Sequence, residues 1–383
     1  MLAYLDNNAT TRPLPAVVEA VMAALGDAFG NPSSIHPLGE RARDLVEEAR
    51  RNVAELLACR PGEVIFTSSA TESINTALRG AFQALPKEKP RRLILSSVEH
   101  EAVIEVARHL EKRRGVEVAT VGVDGAGRLD MDALERELRR GATLLSLMLA
   151  NNETGVILPV KEAAAMAHEC GVAVHVDAVQ AVGKMPLDAH DLGADFLSLS
   201  GHKFHAPKGV GVLYVRRGAR FLPFMVGAGQ EGGRRGGTEN VPGILGLGAA
   251  AEHMAQGIPQ RRAHLKALSD RIEKEFLALP DTRLNGDPEG RLPGTVNISF
   301  KGIEGSLIVL TAAREGVCLS SGSACSAGEH TGSHVLEAMG VPYEYLHGSV
   351  RFSCCETTTE TEVDHAIQVV KRAVAYLRSM SAS

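Results

Sequence analysis

Ala194-Asp195-Phe196-Leu197-Ser198-Leu199-Ser200-Gly201-His202-Lys203-Phe204-His205-Ala206-Pro207-Lys208-Gly209-Val210-Gly211-Val212-Leu213-Tyr214 reads as a strand, a polar corner and a second strand. The apolar runs 196–200 and 210–215 have strand length, and residues 201–209 form the corner between them, with Lys203 in it. A lysine placed there is either an ordinary solvated side chain or an amine pinned between two buried strands. In the second case it loses hydration, its pKa falls, and the free amine can attack a carbonyl, as a Schiff-base lysine must. The rest of the chain has to decide between the two.

Working outward, the same pattern repeats on the N-terminal side. Val172-Ala173-Val174-His175-Val176 ends at Asp177-Ala178-Val179-Gln180, Leu144-Leu145-Ser146-Leu147-Met148 at Asn151-Asn152-Glu153-Thr154-Gly155, and Leu93-Ile94-Leu95 at Ser96-Ser97-Val98-Glu99-His100. Earlier still, Glu63-Val64-Ile65-Phe66-Thr67 passes through Ser68-Ser69-Ala70-Thr71-Glu72-Ser73 into the helical periodicity of Ile74, Ala77 and Leu78. Helical patterns separate the strands, which predicts right-handed crossovers and a mostly parallel α/β sheet. Each polar cluster follows the carboxyl end of a strand, where open α/β sheets bind ligands. The helix start at Ala70 and Thr71 offers unpaired N–H groups and a positive dipole end, an anion site unless it is plain capping. No G-x-G-x-x-G follows the first strand, so a nicotinamide fold has no positive support.

Helices are expected over residues 15–25 and 40–58. Beyond the corner, residues 227–237 are glycine-rich with Arg234 and Arg235, and they read as a functional loop too polar and flexible for a core element. A long helical region runs to about residue 279. Strands over 295–300, 317–319 and 349–353, with a helix from Ile303, then suggest a smaller α+β domain.

With 383 residues, 44% apolar and 23% charged, the chain describes a soluble globular protein large enough for two domains. A net charge of -5 with both signs mixed offers no basic stripe for nucleic acid and no polybasic membrane anchor, so the expected substrate is small. The opening residues lack the basic n-region and apolar stretch of a secretory leader, and no apolar run has membrane-spanning length. Six cysteines, at 59, 170, 318, 325, 354 and 355, follow no C-x-x-C zinc spacing and are too few to staple a chain this long, which predicts a reducing, cytoplasmic setting.

A phosphate cradle near Thr71, an aromatic platform at His100, a carboxylate at Asp177 and an amine at Lys203 are the four things pyridoxal 5'-phosphate needs. An aspartate beside the pyridine nitrogen keeps it protonated, so the ring can accept electrons. Singly, each residue has a commonplace reading: His100 as a loop imidazole, Asp177 as a helix cap, His202 as a turn residue. Their order on successive strand ends favours the cofactor.

Tyr4-Leu5-Asp6-Asn7-Asn8-Ala9-Thr10-Thr11, Gly30-Asn31-Pro32-Ser33-Ser34, Ala70-Thr71-Glu72-Ser73, Asn151-Asn152-Glu153-Thr154-Gly155, Asp177-Ala178-Val179-Gln180, Ser200-Gly201-His202-Lys203 and Ser320-Ser321-Gly322-Ser323-Ala324-Cys325 together resemble the cysteine desulfurases. The resemblance is to the nitrogen-fixation and housekeeping iron-sulfur type within the class V aminotransferases, and it spans residues 1 to about 376. It implies an aspartate-aminotransferase-like fold, with a large cofactor-binding domain over 16–258 and a small domain formed by 1–15 and 259–383 that carries the catalytic cysteine loop. By the same resemblance Lys203 holds pyridoxal phosphate covalently, His100 stacks on its ring, Asp177 faces the ring nitrogen and Gln180 bonds the phenolic oxygen. Thr71, Ser200 and His202 bind the phosphate, Ala70 is a further cofactor-binding residue, and Thr238 reaches the phosphate of the neighbouring subunit of a homodimer. Asn152 and Arg351 hold the carboxylate of L-cysteine, a role suited to arginine's planar fork. Cys325 takes the sulfur as a persulfide, leaving L-alanine, and passes it to an iron-sulfur scaffold or other acceptor protein. No intrinsic metal is implied, although Cys325 could ligate a transient iron-sulfur cluster with a partner.

Ser320-Ser321-Gly322-Ser323-Ala324-Cys325-Ser326-Ala327-Gly328 is small and polar, so it is expected to be mobile and exposed, as a thiol that collects and delivers sulfur requires. A structural thiol is expected instead at Cys318, read as core. Two features depart from the family pattern. Cys354-Cys355-Glu356 stands where relatives carry a small apolar residue, a glycine or serine, and an arginine, and those thiols are expected to pack after the strand. The sequence also stops at Ser383, where many relatives continue into a tail that contacts the scaffold protein. Among rival readings, a selenocysteine lyase or simple aminotransferase would share the cofactor site but not Cys325. A metal-binding assembly protein using Cys318, Cys325, His330, His334, Cys354 and Cys355 is disfavoured by their irregular spacing.

Overall fold

The computed structural model describes residues 1–86, 89, 91–321 and 332–381. Its strands are β1 (Ala3–Tyr4), β2 (Val64–Thr67), β3 (Arg92–Ser96), β4 (Glu117–Val121), β5 (Leu144–Met148), β6 (Ala173–Asp177), β7 (Phe196–Ser200), β8 (Gly211–Val215), β9 (Thr282–Leu284), β10 (Thr295–Phe300), β11 (Val317–Cys318), β12 (Ser320–Ser321) and β13 (Ser349–Ser353). A large sheet runs β2-β8-β7-β6-β5-β3-β4. It is parallel except for β8, which is antiparallel to both neighbours. The pair around Lys203 is thus antiparallel, with Phe196 opposite Val215 and Ser200 opposite Gly211. A short 3-10 turn, Gly201–Lys203, closes the corner.

Strands β3, β5 and β7 are buried along their whole length, as expected where helices cover both faces of a parallel sheet. The edge strand β4 is mostly accessible and starts on a glutamate, which is why its sequence gives a weak strand signal. Helix α1 spans Pro15–Gly26 and α2 spans Pro37–Leu56. The second starts three residues before its expected beginning, because Pro37 occupies the first turn and His36 caps it. Helix α3 (Ala70–Gln83) starts against the sheet: a side chain at Gly211 would place its Cβ 2.7 Å from the Ser69 carbonyl carbon. Helix α4 spans Glu101–Arg114. The long helical region is two helices, Val241–Ala255 and Ile258–Leu277, broken at Gly257 with a φ of 65°.

A second, antiparallel sheet has the order β12-β13-β10-β9, and β1 pairs in parallel with β11 beside it. Its core gathers Ala3, Leu5, Phe276, Ile298, Phe300 and Phe352, with Phe276 and Phe352 stacked at 4.9 Å. Each of the larger side chains in this set contributes about 1.5–3 kcal/mol relative to exposure. The N-terminal arm then crosses to the large sheet. Asn7 N donates to Ser353 O at 3.1 Å, and Thr11 N donates to His202 O at 2.8 Å, so residues 6–11 connect the second sheet to the Lys203 corner.

Two expectations need correction. The glycine-rich loop is anchored rather than loose: Glu231 is buried in a salt bridge with Arg50 at 2.7 Å, and Arg235 pairs with Glu72 at 2.9 Å. Cys318 is half-buried on the short β11 rather than in the core, whereas Cys354 is 1% exposed. Among the described residues no helix is long and apolar enough to cross a membrane.

Candidate active site

At the carboxyl ends of β5, β6 and β7 lies a cavity of about 290 Å³. Ala70, Thr71, His100, Asn152, Asp177, Gln180, Ser200, His202, Lys203 and Arg351 all line it, although they come from six separate segments of sequence. The topology explains the convergence, since parallel strands deliver the residues that follow them to one edge.

At one wall, Ser69 caps α3 by accepting from Glu72 N at 3.2 Å, leaving the first-turn N–H groups of Ala70 and Thr71 at the cavity. Ser200 and His202, at and just beyond the end of β7, line the same cavity. His202 Nδ1 lies 3.2 Å from Thr10 Oγ1, and burial, then Lys203 and Lys208, push its pKa down to about 4. It is therefore neutral near pH 7 and serves as a hydrogen-bonding group. Hydroxyls, backbone N–H groups and an imidazole form a suitable donor set for a phosphate.

Lys203 Nζ donates to the carbonyls of Asn8 at 2.7 Å and Ala9 at 2.8 Å. It is the lysine of the cavity wall; among the described residues no other lysine lines it. Asp177 ends β6 with Oδ1 accepting from Val179 N at 3.0 Å. Burial raises its pKa, opposed by His100 and Lys203, and a cationic ring nitrogen beside it would oppose burial further. His100 caps α4, its Nδ1 accepting from Ala102 N at 3.0 Å, so Nε2 is the nitrogen that can donate.

Gln180 Nε2 donates to Asn8 O at 3.0 Å. Arg351 Nη1 donates to Asn152 O, and Nη2 to Asp6 Oδ1, both at 2.9 Å. Arg351 Nε and Asn152 Oδ1 are buried with no hydrogen-bond partner among the described residues. Buried polar atoms are rarely left so, and two of them in one cavity fit a ligand that completes the set. Pyridoxal phosphate with an amino-acid substrate meets each of these needs.

Thr238 is exposed and does not line its own chain's cavity, and Cys325 lies outside the described residues. Sequence reasoning missed Asp6 and Asn8, which hold Arg351 and Lys203, because a polar turn-forming arm carries no periodic signal. It also missed Glu99, fully buried behind His100. Its Oε1 lies 2.5 Å from Ser96 Oγ and accepts from Met148 N, and burial pushes its pKa up to about 8. Beside His100 in sequence, it looks like any surface carboxylate.

The aminotransferase class-V family model matches residues 3–366. A cysteine desulfurase of Trichormus azollae is 50% identical over 379 residues, covering 99% of this chain and 94% of that protein. A solved NifS-like protein superposes with a TM-score of 0.93 at 37% identity, covering 98% of this chain and 100% of that one. Another, SspA in complex with cysteine, does so with a TM-score of 0.81 at 33% identity, covering 93% of this chain and 100% of that one. With this cavity and these likenesses over nearly its whole length, the chain belongs to the aminotransferase class-V family, among its pyridoxal-phosphate-dependent cysteine desulfurases.

Proposed function

We propose that the cavity converts L-cysteine to L-alanine, that the sulfur is left as a persulfide on Cys325, and that it goes on to iron-sulfur cluster assembly. The observation that carries this reading is the meeting of Lys203, Asp177 and the α3 anion corner with an arginine whose Nε has no acceptor among the described residues. When bound, pyridoxal phosphate supplies an electron sink at the substrate's α-carbon. The protein does the rest. Ala70, Thr71, Ser200 and His202 would hold the phosphate, Lys203 would be the point of covalent attachment and the proton carrier, His100 would cover the ring, and Asp177 and Gln180 would serve its nitrogen and oxygen. Asn152 and Arg351 fix the substrate carboxylate. Cys325 attacks as a thiolate, forming an S–S bond as the substrate's C–S bond breaks.

The same reading includes a homodimer in which Thr238 completes the partner's phosphate site. In support, Phe29, Ile35 and Val226 are 68%, 92% and 88% exposed, apolar side chains that a partner subunit would cover. Their segments meet where Pro32, Ser33, Gly229 and Gln230 line a second cavity of about 470 Å³. It also includes the division into residues 16–258 and residues 1–15 with 259–383. Ala3 and Leu5 share a core cluster with residues 265–374, although Val335, Leu336 and Met339 pack with the first core instead. An acceptor protein and a cytoplasmic setting complete the proposal; the five cysteines among the described residues are all free thiols.

Two variants test it. Lys203→Ala should lose covalent attachment of the cofactor, read by borohydride reduction and peptide mapping, and Cys325→Ser should keep its visible spectrum while yielding almost no alanine. A pyridoxyl label on Lys184 or Lys208, or full turnover by Cys325→Ser, would defeat the assignment.

A further inference from the structure

Behind the cavity wall stands a second lysine. Lys184 is 7% exposed and does not line the cavity. Its Nζ donates to Asn8 Oδ1 at 2.7 Å and to Gln180 Oε1 at 3.1 Å. The charged side chains acting on it are the cations Lys203 and Arg351, with the thiols of Cys354 and Cys355 also near, while Arg262 Nη1 reaches its backbone carbonyl at 3.3 Å. Burial first, then those cations, push the ammonium down to about 7. Keeping a buried amine among cations is costly, and a methionine would fill the same space.

What the amine accomplishes follows from the chemistry of amides. The two ends of a Gln or Asn amide have nearly the same shape, and its neighbours decide which way it faces. The charged amine has three donors and no acceptor, and the neutral amine has two donors for its two partners, so both forms take the amide oxygens. Lys184 therefore takes Gln180 Oε1 and turns Nε2 to the opposite side. One Nε2 hydrogen goes to Asn8 O at 3.0 Å, which leaves the other for a ligand in the cavity that Gln180 lines. The same amine takes Asn8 Oδ1, so Asn8 Nδ2 is turned to Asn152 O at 3.2 Å and Thr295 Oγ1 at 3.1 Å. The Asn8 carbonyl then receives both Gln180 Nε2 and, at 2.7 Å, Lys203 Nζ.

We propose that Lys184 is a positioning residue that locks the Gln180 amide with an N–H toward the cavity, so that the cofactor's ring oxygen meets a donor and is held in its ionised form. The proposal rests on the reading of this cavity as the cofactor site with Gln180 at the ring oxygen. A donor favours the charged form of the oxygen it bonds. Without the lysine the amide is free to turn over, and an Oε1 facing the ring oxygen favours the protonated form instead.

The test is a pH titration of the visible band of the pyridoxal phosphate holoenzyme, in the wild type, Lys184→Met, Gln180→Leu and the double variant. Lys184→Met should raise the midpoint by about one pH unit, a tenfold change in the proton equilibrium. In the Gln180→Leu background the same substitution should add nothing, because the lysine acts through the amide. An unmoved midpoint in Lys184→Met, or an equal rise with and without Gln180, overturns the proposal; the second result would mean the ammonium acts by charge alone. If Gln180→Leu itself leaves the midpoint unmoved, it is the placement of Gln180 at the ring oxygen that fails, and the proposal falls with it. Should Lys184→Met not accumulate as folded protein, the uncharged Lys184→Gln takes its place with the same expected rise and the same overturning results.

Discussion

Two buried arginines, Arg50 and Arg351, divide the molecule's polar interior into a part that is finished and a part that is waiting. Arg50 has an acceptor at every nitrogen: Nε meets Glu47 at 3.1 Å, Nη1 meets Val64 O at 3.0 Å and Glu231 at 2.7 Å, and Nη2 meets Glu231 at 2.9 Å. Its guanidinium also lies over the Phe66 ring at 4.7 Å. Arg351 is equally buried but shares a single Asp6 oxygen with Ser320, and its Nε has no acceptor among the described residues. A saturated fork holds a fold together, whereas an unsaturated one keeps capacity for a ligand carboxylate. Burial alone would not have told them apart.

The largest expected effect lies on the unsaturated side. Arg351→Ala should lower kcat/KM for L-cysteine by roughly 10²–10³, the consequence of losing a desolvated charge-assisted pair of about 3–4 kcal/mol. Its thermal midpoint should stay within a few degrees, because Asp6 keeps 19% of its side chain in water and can rehydrate. Glu231→Gln should do the converse. Breaking a saturated buried pair leaves Arg50 with only the half-exposed Glu47 as a counter-charge, at a cost of about 3 kcal/mol in stability. Chemical denaturation of both variants beside their steady-state kinetics measures the contrast, and equal destabilisation by the two substitutions breaks it.

The same division separates two histidines. His175 is fully buried between Ser146 Oγ at 2.8 Å and Ser198 Oγ at 2.9 Å, and burial pushes its pKa from 6.5 down to about 3. His202, at the cavity, is pushed to about 4. Between those values and 6.5 the unfolded chain binds protons that the folded chain refuses, so the stability these two rings contribute is complete above pH 6.5 and falls as pH drops below it. Glu99, Glu153 and Asp177, whose pKa values burial raises, act in the opposite sense, so the imidazole contribution is read from a variant rather than from the net slope. Between pH 6.5 and pH 4.5 the thermal midpoint of His202→Gln should therefore fall less, or rise more, than that of the wild type. An identical response of the two proteins contradicts the burial assigned to His202.

Much of this arrangement was legible in the sequence, and the part that was not has a physical reason. Strand runs such as 144–148 and 196–200 are continuous and apolar because helices cover both faces of their sheet, and the polar residues after them mark its carboxyl edge. Lys203, Asp177, His100 and Thr71 could be read that way. Asp6, Asn8 and Lys184 could not, since their roles depend on an arm that crosses from the second sheet and on amide orientations that no local pattern encodes. The glycine-rich loop misled for a related reason: its composition signals flexibility, while its anchor, Arg50, lies 181 residues away in the chain.

The smallest expected effect tests the comparison most sharply. Asp6 holds Arg351 Nη2 through Oδ1, the atom that also accepts from Ser320 Oγ at 2.8 Å. Asp6→Asn keeps an oxygen of the same shape in that place and removes its charge. If Arg351 is a waiting fork, its stability does not depend on that charge, and the loss should be below about 1 kcal/mol, as for a partly exposed ion pair. The substrate carboxylate would then approach a guanidinium no longer shared with a neighbouring anion, so KM for L-cysteine should fall by a few fold while kcat changes little. A rise in KM of tenfold or more would mean that Asp6 aims the guanidinium rather than merely occupying it. A loss of stability matching that of Glu231→Gln would mean that Arg351 is, like Arg50, part of the fold.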